Sequence, residues 1–131
     1  MALFMLDTDT VSFALRGIGA VATRLAMHKR SELCVSAITV AELRFGADKR
    51  RSRKIHRAID AFVTGVDVLA FDNLAAESFG TIAATLAGAG QPIGQMDTLI
   101  AGHALSVNAT LVTNNQRHFS KVSALRLENW A

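Results

Sequence analysis

The chain begins with an apolar run that stops abruptly at a carboxylate. Residues 2–11 have the sequence A-L-F-M-L-D-T-D-T-V, in which large uncharged residues lead into Asp7, Thr8 and Asp9. An apolar run with a polar end predicts a buried strand that finishes in a turn. Asp7 is therefore expected at the carboxyl end of a strand, which is the edge where open α/β sheets hold their ligands.

Short apolar segments alternate with longer segments of helical periodicity along the rest of the chain. Further strands are expected at 33–36, 66–71, 110–113 and, at an edge, 125–127. Helices are expected at 8–15, 20–30, 55–63, 74–89 and 95–107, with another that opens at Thr39 and a cap at Asn73. This alternation predicts one α/β domain over residues 1–131, with a central, mostly parallel sheet and helices on both faces.

The composition limits the class of protein. With 131 residues, half of them hydrophobic and one of them proline, the chain is long enough for a single packed core and is not expected to be disordered. No apolar run approaches the roughly 20 residues that span a bilayer, and the first run lacks a basic leader, so a soluble, cytoplasmic protein is expected. The lone cysteine, Cys34, excludes a disulfide framework and a cysteine metal site, and its apolar neighbours predict burial.

Basic residues are concentrated in one segment. The chain has 14 Lys and Arg against 11 Asp and Glu, a net charge of +3. Six of the 14 lie within residues 49–57, which we call the basic segment, namely Lys49, Arg50, Arg51, Arg53, Lys54 and Arg57. A cluster of this kind can follow a phosphate backbone, and it can equally be the solvated end of a helix. The sequence leaves both interpretations open.

Three acids stand next to expected strand-to-helix junctions. Asp7 follows a strand, and Glu42 and Asp97 are expected in the first turns of helices. If these junctions share one edge of the sheet, the three carboxylates converge there. Oxygen ligands of this kind suit Mg²⁺ or Mn²⁺, and without a cation at least one carboxylate is expected to hold its proton more tightly.

Each of these acids also has a purely structural interpretation. Thr39 and Glu42 have the spacing of a capping box, Asp97 can be stabilised by a helix N-terminus, and Asp7 can cap the turn that follows it. A structural role is the better interpretation for any one of them, but the three together favour a site. His103 lies six residues beyond Asp97, on another face of the helix, and is expected to be packed or at the surface.

Four motifs together resemble those of the PIN-domain ribonucleases, and most of all the VapC-type toxins of toxin–antitoxin pairs. They are L-D-T-D-T at the start, S-A-I-T-V-A-E-L-R-F-G-A around Glu42, I-G-Q-M-D-T-L-I-A-G-H-A around Asp97, and L-V-T-N-N-Q-R-H-F near the end. The resemblance covers essentially the whole chain and also includes the ending L-R-L-E-N-W.

The resemblance implies a Rossmann-like sheet whose carboxyl edge gathers three or four acids around one or two Mg²⁺ or Mn²⁺ ions. Asp7, Glu42 and Asp97 match the three core acids, with Asp7 and Asp97 the direct metal ligands. The fourth acidic position falls on Asn115, an amide that brings no charge, which puts a tightly held second metal in doubt. Thr113 and Asn114 are expected to orient Asp7 or the attacking water.

The activity implied by the resemblance is metal-dependent endonucleolytic hydrolysis of RNA by a type II toxin. Its partners would be a structured RNA, such as the anticodon region of initiator tRNA, a second copy of the chain in a homodimer, and a cognate antitoxin. The antitoxin's tail would enter the acidic site, often with a basic residue that displaces the metal.

Two alternatives remain open at the level of sequence. The segment Asp7-Thr8-Asp9-Thr10-Val11 fits the start of a haloacid-dehalogenase-type phosphatase, with Asp7 as nucleophile, Asp9 as acid and base, and Ser36 as second motif. That family also needs a lysine and paired late acids, for which the chain has no suitable candidates. The other alternative is a non-catalytic PIN-like module that binds RNA or protein through the basic segment.

Overall fold

The structure, a computed structural model, describes residues 2–131. A parallel five-stranded sheet forms the centre of this part of the chain. The strands are β1 (Phe4–Leu6), β2 (Leu33–Ser36), β3 (Asp67–Leu69), β4 (Thr110–Val112) and β5 (Leu127–Glu128). Their order is β3-β2-β1-β4-β5, and every neighbouring pair is parallel. The predicted parallel sheet is therefore confirmed.

Helices connect the strands. Within residues 2–131 they are α1 (Thr8–Arg16), α2 (Val21–Leu25), α3 (Ala37–Lys49), α4 (Arg53–Val63), α5 (Asn73–Gly88), α6 (Gln95–Ser106) and α7 (Gln116–Phe119). A short 3₁₀ turn, Arg30–Glu32, precedes β2.

The order of the strands reverses next to β1. The chain runs from β1 outward through β2 to β3 and then returns to the other side of β1 as β4. In open α/β sheets, the crevice at the carboxyl ends of the two strands on either side of such a reversal is the usual ligand site. The Asp7 N–H donates to the Val112 carbonyl at 3.0 Å, so β1 and β4 remain paired up to this edge.

Both faces of the sheet are covered by apolar side chains. Successive residues of a strand point to opposite faces, and in β1 Met5 belongs to a core with Ile100 of α6, whereas Leu6 belongs to a second core with Val11 of α1. This division confirms that helices pack on both sides, as an all-parallel sheet requires.

Two predicted helix starts are wrong by a few residues. The helix expected to open at Thr39 begins at Ala37, because the Ser36 hydroxyl accepts from the Ile38 N–H at 3.1 Å and caps it. Asn73 is not a cap but the first residue of α5, since the Asp72 carboxylate accepts from the Ala75 N–H at 3.0 Å. In both cases two polar residues within three positions of each other could cap the helix, and the earlier one does so.

Other elements differ from their predicted bounds. The helix expected at 20–30 is only the five residues of α2, and α4 begins at Arg53 rather than residue 55 because Ser52 caps it. The last strand lies two residues later than expected, at Leu127–Glu128. The sequence did not predict α7, a single turn after β4.

No helix within residues 2–131 combines the length and the apolar character that crossing a bilayer requires.

Candidate active site

Asp7 lies where β1 ends and α1 begins. Its side chain is only 4% exposed, and it caps α1 by accepting from the Thr10 N–H at 2.8 Å. Burial raises the pKa of this carboxyl to about 6, although hydrogen bonds from Thr113 and Thr10 oppose the rise. The sequence's interpretation of Asp7 as a cap is confirmed. The same residue is also a buried carboxyl at the edge where the strand order reverses.

Glu42 reaches the same edge from α3. It is the sixth residue of that helix rather than a first-turn residue, so the capping box predicted with Thr39 is wrong. Instead the Thr8 hydroxyl donates to Glu42 Oε1 at 2.5 Å, which joins α3 to the first residue of α1. Burial raises the pKa of Glu42, the Thr8 hydrogen bond lowers it, and the charges of Asp97 and Asp9 raise it further.

Asp97 is placed by the start of α6. Gly94 precedes that helix with a φ of 95°, a backbone conformation that favours glycine, and Asp97 is the third helical residue. His118 of α7 lies opposite, with its Nδ1 3.5 Å from Asp97 Oδ2. Burial raises the pKa of Asp97, while the hydrogen bond and charge of His118 lower it and the charge of Asp9 raises it.

The polar residues after β4 complete this edge. Thr113 is fully buried, accepts from the Asn115 N–H at 2.9 Å and lowers the pKa of the nearby Asp7 carboxyl. Asn115 precedes α7 without a side-chain capping bond, and the side chain of Asn114 accepts from Asn129 at 3.3 Å.

Two further residues lie beside these acids, and the sequence assigned neither of them to the metal site, although Asp9 has a role in the phosphatase alternative. Asp9 is exposed on α1, and its charge raises the pKa values of Asp7, Glu42 and Asp97 alike. His118 lies in the motif L-V-T-N-N-Q-R-H-F, but the sequence predicted no role for it. The available signals were the D-T-D spacing at the start and a histidine next to Asn115, and neither is specific without the fold.

The acids interact through their charges, but their side chains do not surround a common point. Within residues 2–131, no three His, Cys, Asp or Glu side chains are arranged to hold one metal ion. The available donors are the carboxylate oxygens of Asp7, Glu42 and Asp97 and the amide oxygen of Asn115. Such oxygen donors fit Mg²⁺ or Mn²⁺, and burial, which raises the pKa values of the three carboxyls, disfavours their charged forms in the absence of a cation.

Ser36 and His103 have structural roles. Ser36 is fully buried, caps α3 and forms a 2.7 Å hydrogen bond with His103 Nδ1. His103 is buried as well and packs edge-on against Phe71, and burial lowers its pKa. The prediction of a packed histidine is confirmed. Ser36 is not exposed to a substrate, which removes the second motif of the phosphatase alternative.

Cys34 lies in the core, as predicted. Its side chain is fully buried in β2, and burial raises the pKa of the thiol to about 12. The thiol therefore stays protonated and plays no part in the acidic edge.

Comparisons with known proteins agree with this architecture. The model of the PIN domain family matches residues 4–125. The tRNA(fMet)-specific endonuclease VapC of Shigella flexneri is 39% identical, and the match covers 100% of both chains. The crystal structure of DNA-bound VapBC from Salmonella typhimurium contains a chain with 38% identity and a TM-score of 0.90, again over 100% of both chains. VapBC2 from Rickettsia felis, solved with a promoter DNA fragment, has 31% identity and a TM-score of 0.90 over 98% of this chain and 99% of that one.

Proposed function

The chain belongs to the PIN domain family and within it to the VapC-type ribonucleases, and we propose from that premise that it is a metal-dependent endoribonuclease, the toxin of a type II toxin–antitoxin pair. The observation that carries the proposal is the placement of Asp7, Glu42 and Asp97 at the edge where the strand order reverses. The proposed reaction is hydrolysis of RNA phosphodiesters.

Mg²⁺ or Mn²⁺ bound at this edge would lower the pKa of a water molecule and neutralise charge on the phosphate in the transition state. Asp7 and Asp97 would hold the ion. Asp7 is buried and accepts from the Thr10 N–H at 2.8 Å, so its carboxylate is already oriented before the reaction begins. Asn115 can add an oxygen without adding charge.

Glu42 is the residue best placed to act on the attacking water. The Thr8 hydroxyl donates to Oε1 at 2.5 Å, which restricts the orientation of the carboxylate and leaves Oε2 to accept from a water molecule. The raised pKa of Glu42 suits a group that takes up a proton during the reaction. Asp9 adds negative charge nearby, and this charge strengthens the attraction of the site for a divalent cation.

The first experiment is incubation of the purified protein with total cellular RNA and Mg²⁺ or Mn²⁺, followed by sequencing of new RNA ends. We expect a few discrete cuts that disappear with EDTA. Asp97→Asn should lower cleavage by about 100-fold or more, the scale on which loss of one electrostatic group acts in an active site. Glu77→Gln is the matched control, because it removes one negative charge from an exposed position of α5.

Cleavage that survives EDTA, or near-normal metal-dependent cleavage by Asp97→Asn, would refute the mechanism. Binding of RNA without any cutting, with steep salt dependence and no need for divalent ions, would favour the non-catalytic module instead. Hydrolysis of small phosphomonoesters that is lost in Asp9→Asn would favour the phosphatase.

We also propose the partners of this chain. The relative from Shigella flexneri is named a tRNA(fMet)-specific endonuclease, and this supports a structured RNA, with initiator tRNA as the first candidate, as substrate. The VapBC structures support a cognate antitoxin, and we further propose a homodimer and a cytoplasmic location. Addition of the antitoxin encoded beside this chain should abolish cleavage, and light scattering should give the mass of two copies.

A further inference from the structure

A groove leads away from the acidic edge between α1, α3 and α4. Its volume is about 710 Å³, which lies in the size range of pockets that bind small ligands. Asp9 and Glu42 line one end, where the groove joins the candidate active site. Leu15, Leu43 and Ile55 line its apolar part.

Three cationic side chains also line this groove. Arg16 comes from α1, Arg50 from the turn after α3, and Lys54 from the first turn of α4, and all three are exposed. Within residues 2–131, none of the three is in an ion pair with a carboxylate.

The acids closest to the basic segment have other partners. Asp60 is paired with Arg44 at 2.5 Å, and Asp48 contacts the ring of His56 at 2.8 Å. The three cations of the groove therefore form no ion pair with these acids. Arg50 and Lys54 are the two residues of the basic segment that line the groove.

We propose that this groove binds the RNA strand next to the scissile phosphate, with Arg16, Arg50 and Lys54 on the sugar–phosphate backbone and a base against the apolar floor. The inference rests on the proposed function and assigns the substrate path of that same site. A continuous polyanion explains the arrangement, because one of its phosphates can lie at the acidic edge with a metal while the next phosphates meet cations. An apolar peptide face would cover the floor but leave the three cations without partners.

The chain provides a matched pair of variants. Arg50→Gln/Lys54→Gln removes two cations that line the groove. Arg53→Gln/Arg57→Gln also removes two cations of the basic segment. Both lie in α4, the helix that contains Lys54, but neither lines the groove. All four side chains are exposed, so both variants should fold, and thermal melts check this.

Binding is measured by fluorescence anisotropy with a short labelled single-stranded RNA, in the Asp97→Asn background with Mg²⁺ and over a range of KCl concentrations. Each lost phosphate contact should reduce the salt slope of log K by about 0.7 for a single strand, so Arg50→Gln/Lys54→Gln should reduce it by about 1.4 and weaken binding on the order of 10-fold at low salt. The control pair should stay within about twofold of the parent protein.

An equal or larger loss in the control pair, or an unchanged salt slope in the groove pair, would overturn the inference. Retained RNA affinity together with lost capture of the cognate antitoxin would overturn it too and would make the groove a protein-docking site. Cleavage by the wild-type protein is measured separately. A protein that binds RNA through the groove without cutting any RNA would refute the proposed function but not the groove.

Discussion

Asp7 combines a structural and a chemical role in one side chain. As the cap of α1 it accepts a backbone hydrogen bond, and as a buried carboxyl it stands at the edge where the strand order reverses. Its pKa lies near 6 because the interior disfavours its charged form more strongly than Thr10 and Thr113 favour it. The ionised site is thus destabilised until a cation compensates it.

Asp7→Asn should stabilise the metal-free protein at neutral pH. A carboxyl whose pKa rises from 3.8 to about 6 on folding stabilises the fold below its unfolded pKa and loses that contribution as pH rises through the folded value. The difference corresponds to roughly 3 kcal/mol at most, and asparagine keeps the capping oxygen. Urea unfolding in EDTA should therefore show the variant more stable than wild type above about pH 7, with the gain vanishing below about pH 4.

The control for this prediction is Glu77→Gln, which removes a carboxyl from an exposed position of α5 and should change stability by less than about 0.5 kcal/mol. Mg²⁺ should stabilise the wild-type protein more than Asp7→Asn, because a cation bound to the folded state alone raises its stability. An Asp7→Asn variant that is less stable than wild type at every pH would show that the charge of Asp7 is satisfied within the fold.

Single residues differ in how far the sequence predicts them. The sequence predicts Asp7 because a clear apolar run ends there, and it predicts Asp97 at a helix start because glycine and small residues surround it. It misplaces Glu42 within α3, because Ser36 and Thr39 are both good caps and only packing decides between them. The contributions of Asp9 and His118 come from charges that meet across different elements, which no local pattern contains.

At the scale of elements, α5 and α6 form the closest helix pair near the site. A Cβ at Gly102 of α6 would lie 2.7 Å from the backbone nitrogen of Phe79 and 2.8 Å from its Cα. A glycine is therefore required where the two helices meet. Since α6 also carries Asp97, this contact fixes the position of one of the candidate metal ligands.

Gly102→Ala should destabilise the protein by about 1–3 kcal/mol, the usual cost of inserting a methyl group into a packed interior. The higher helix propensity of alanine offsets at most about 1 kcal/mol of this cost. Gly80→Ala in α5 is the matched control, because its Cβ meets nothing within 4 Å and helix propensity alone should stabilise the protein. Urea unfolding measures both, and a Gly102→Ala variant as stable as Gly80→Ala would contradict the close contact.

The order of elements is largely predictable, whereas their ends are not. Buried strands with polar ends, such as β2, were predicted to the residue because burial on both faces gives a continuous apolar run. The sequence predicted too long a helix at α2 and no helix at α7. Helices this short depend on the packing around them rather than on their own periodicity.

At the scale of the whole molecule, the last residues of the chain close the core beside the first strand. Trp130 is 1% exposed, stacks on His28 with 4.8 Å between ring centroids, and lies 5.3 Å from the ring of Phe4. Its indole N–H donates to Glu128 Oε1 at 2.9 Å. The C-terminal segment is thus part of the core that supports β1 and the edge at Asp7.

Trp130→Ala should cost about 3–5 kcal/mol, because it empties a large buried volume between β1 and α2 that the surrounding residues cannot refill. Met27→Ala is the control, since Met27 is 74% exposed and its loss should change stability by less than about 0.5 kcal/mol. Far-ultraviolet circular dichroism during urea unfolding measures both variants without relying on the lost indole. A cost for Trp130→Ala as small as that for Met27→Ala would mean that the C-terminal residues lie on a fold that is already complete, and the acidic edge would then depend on the sheet and α6 alone.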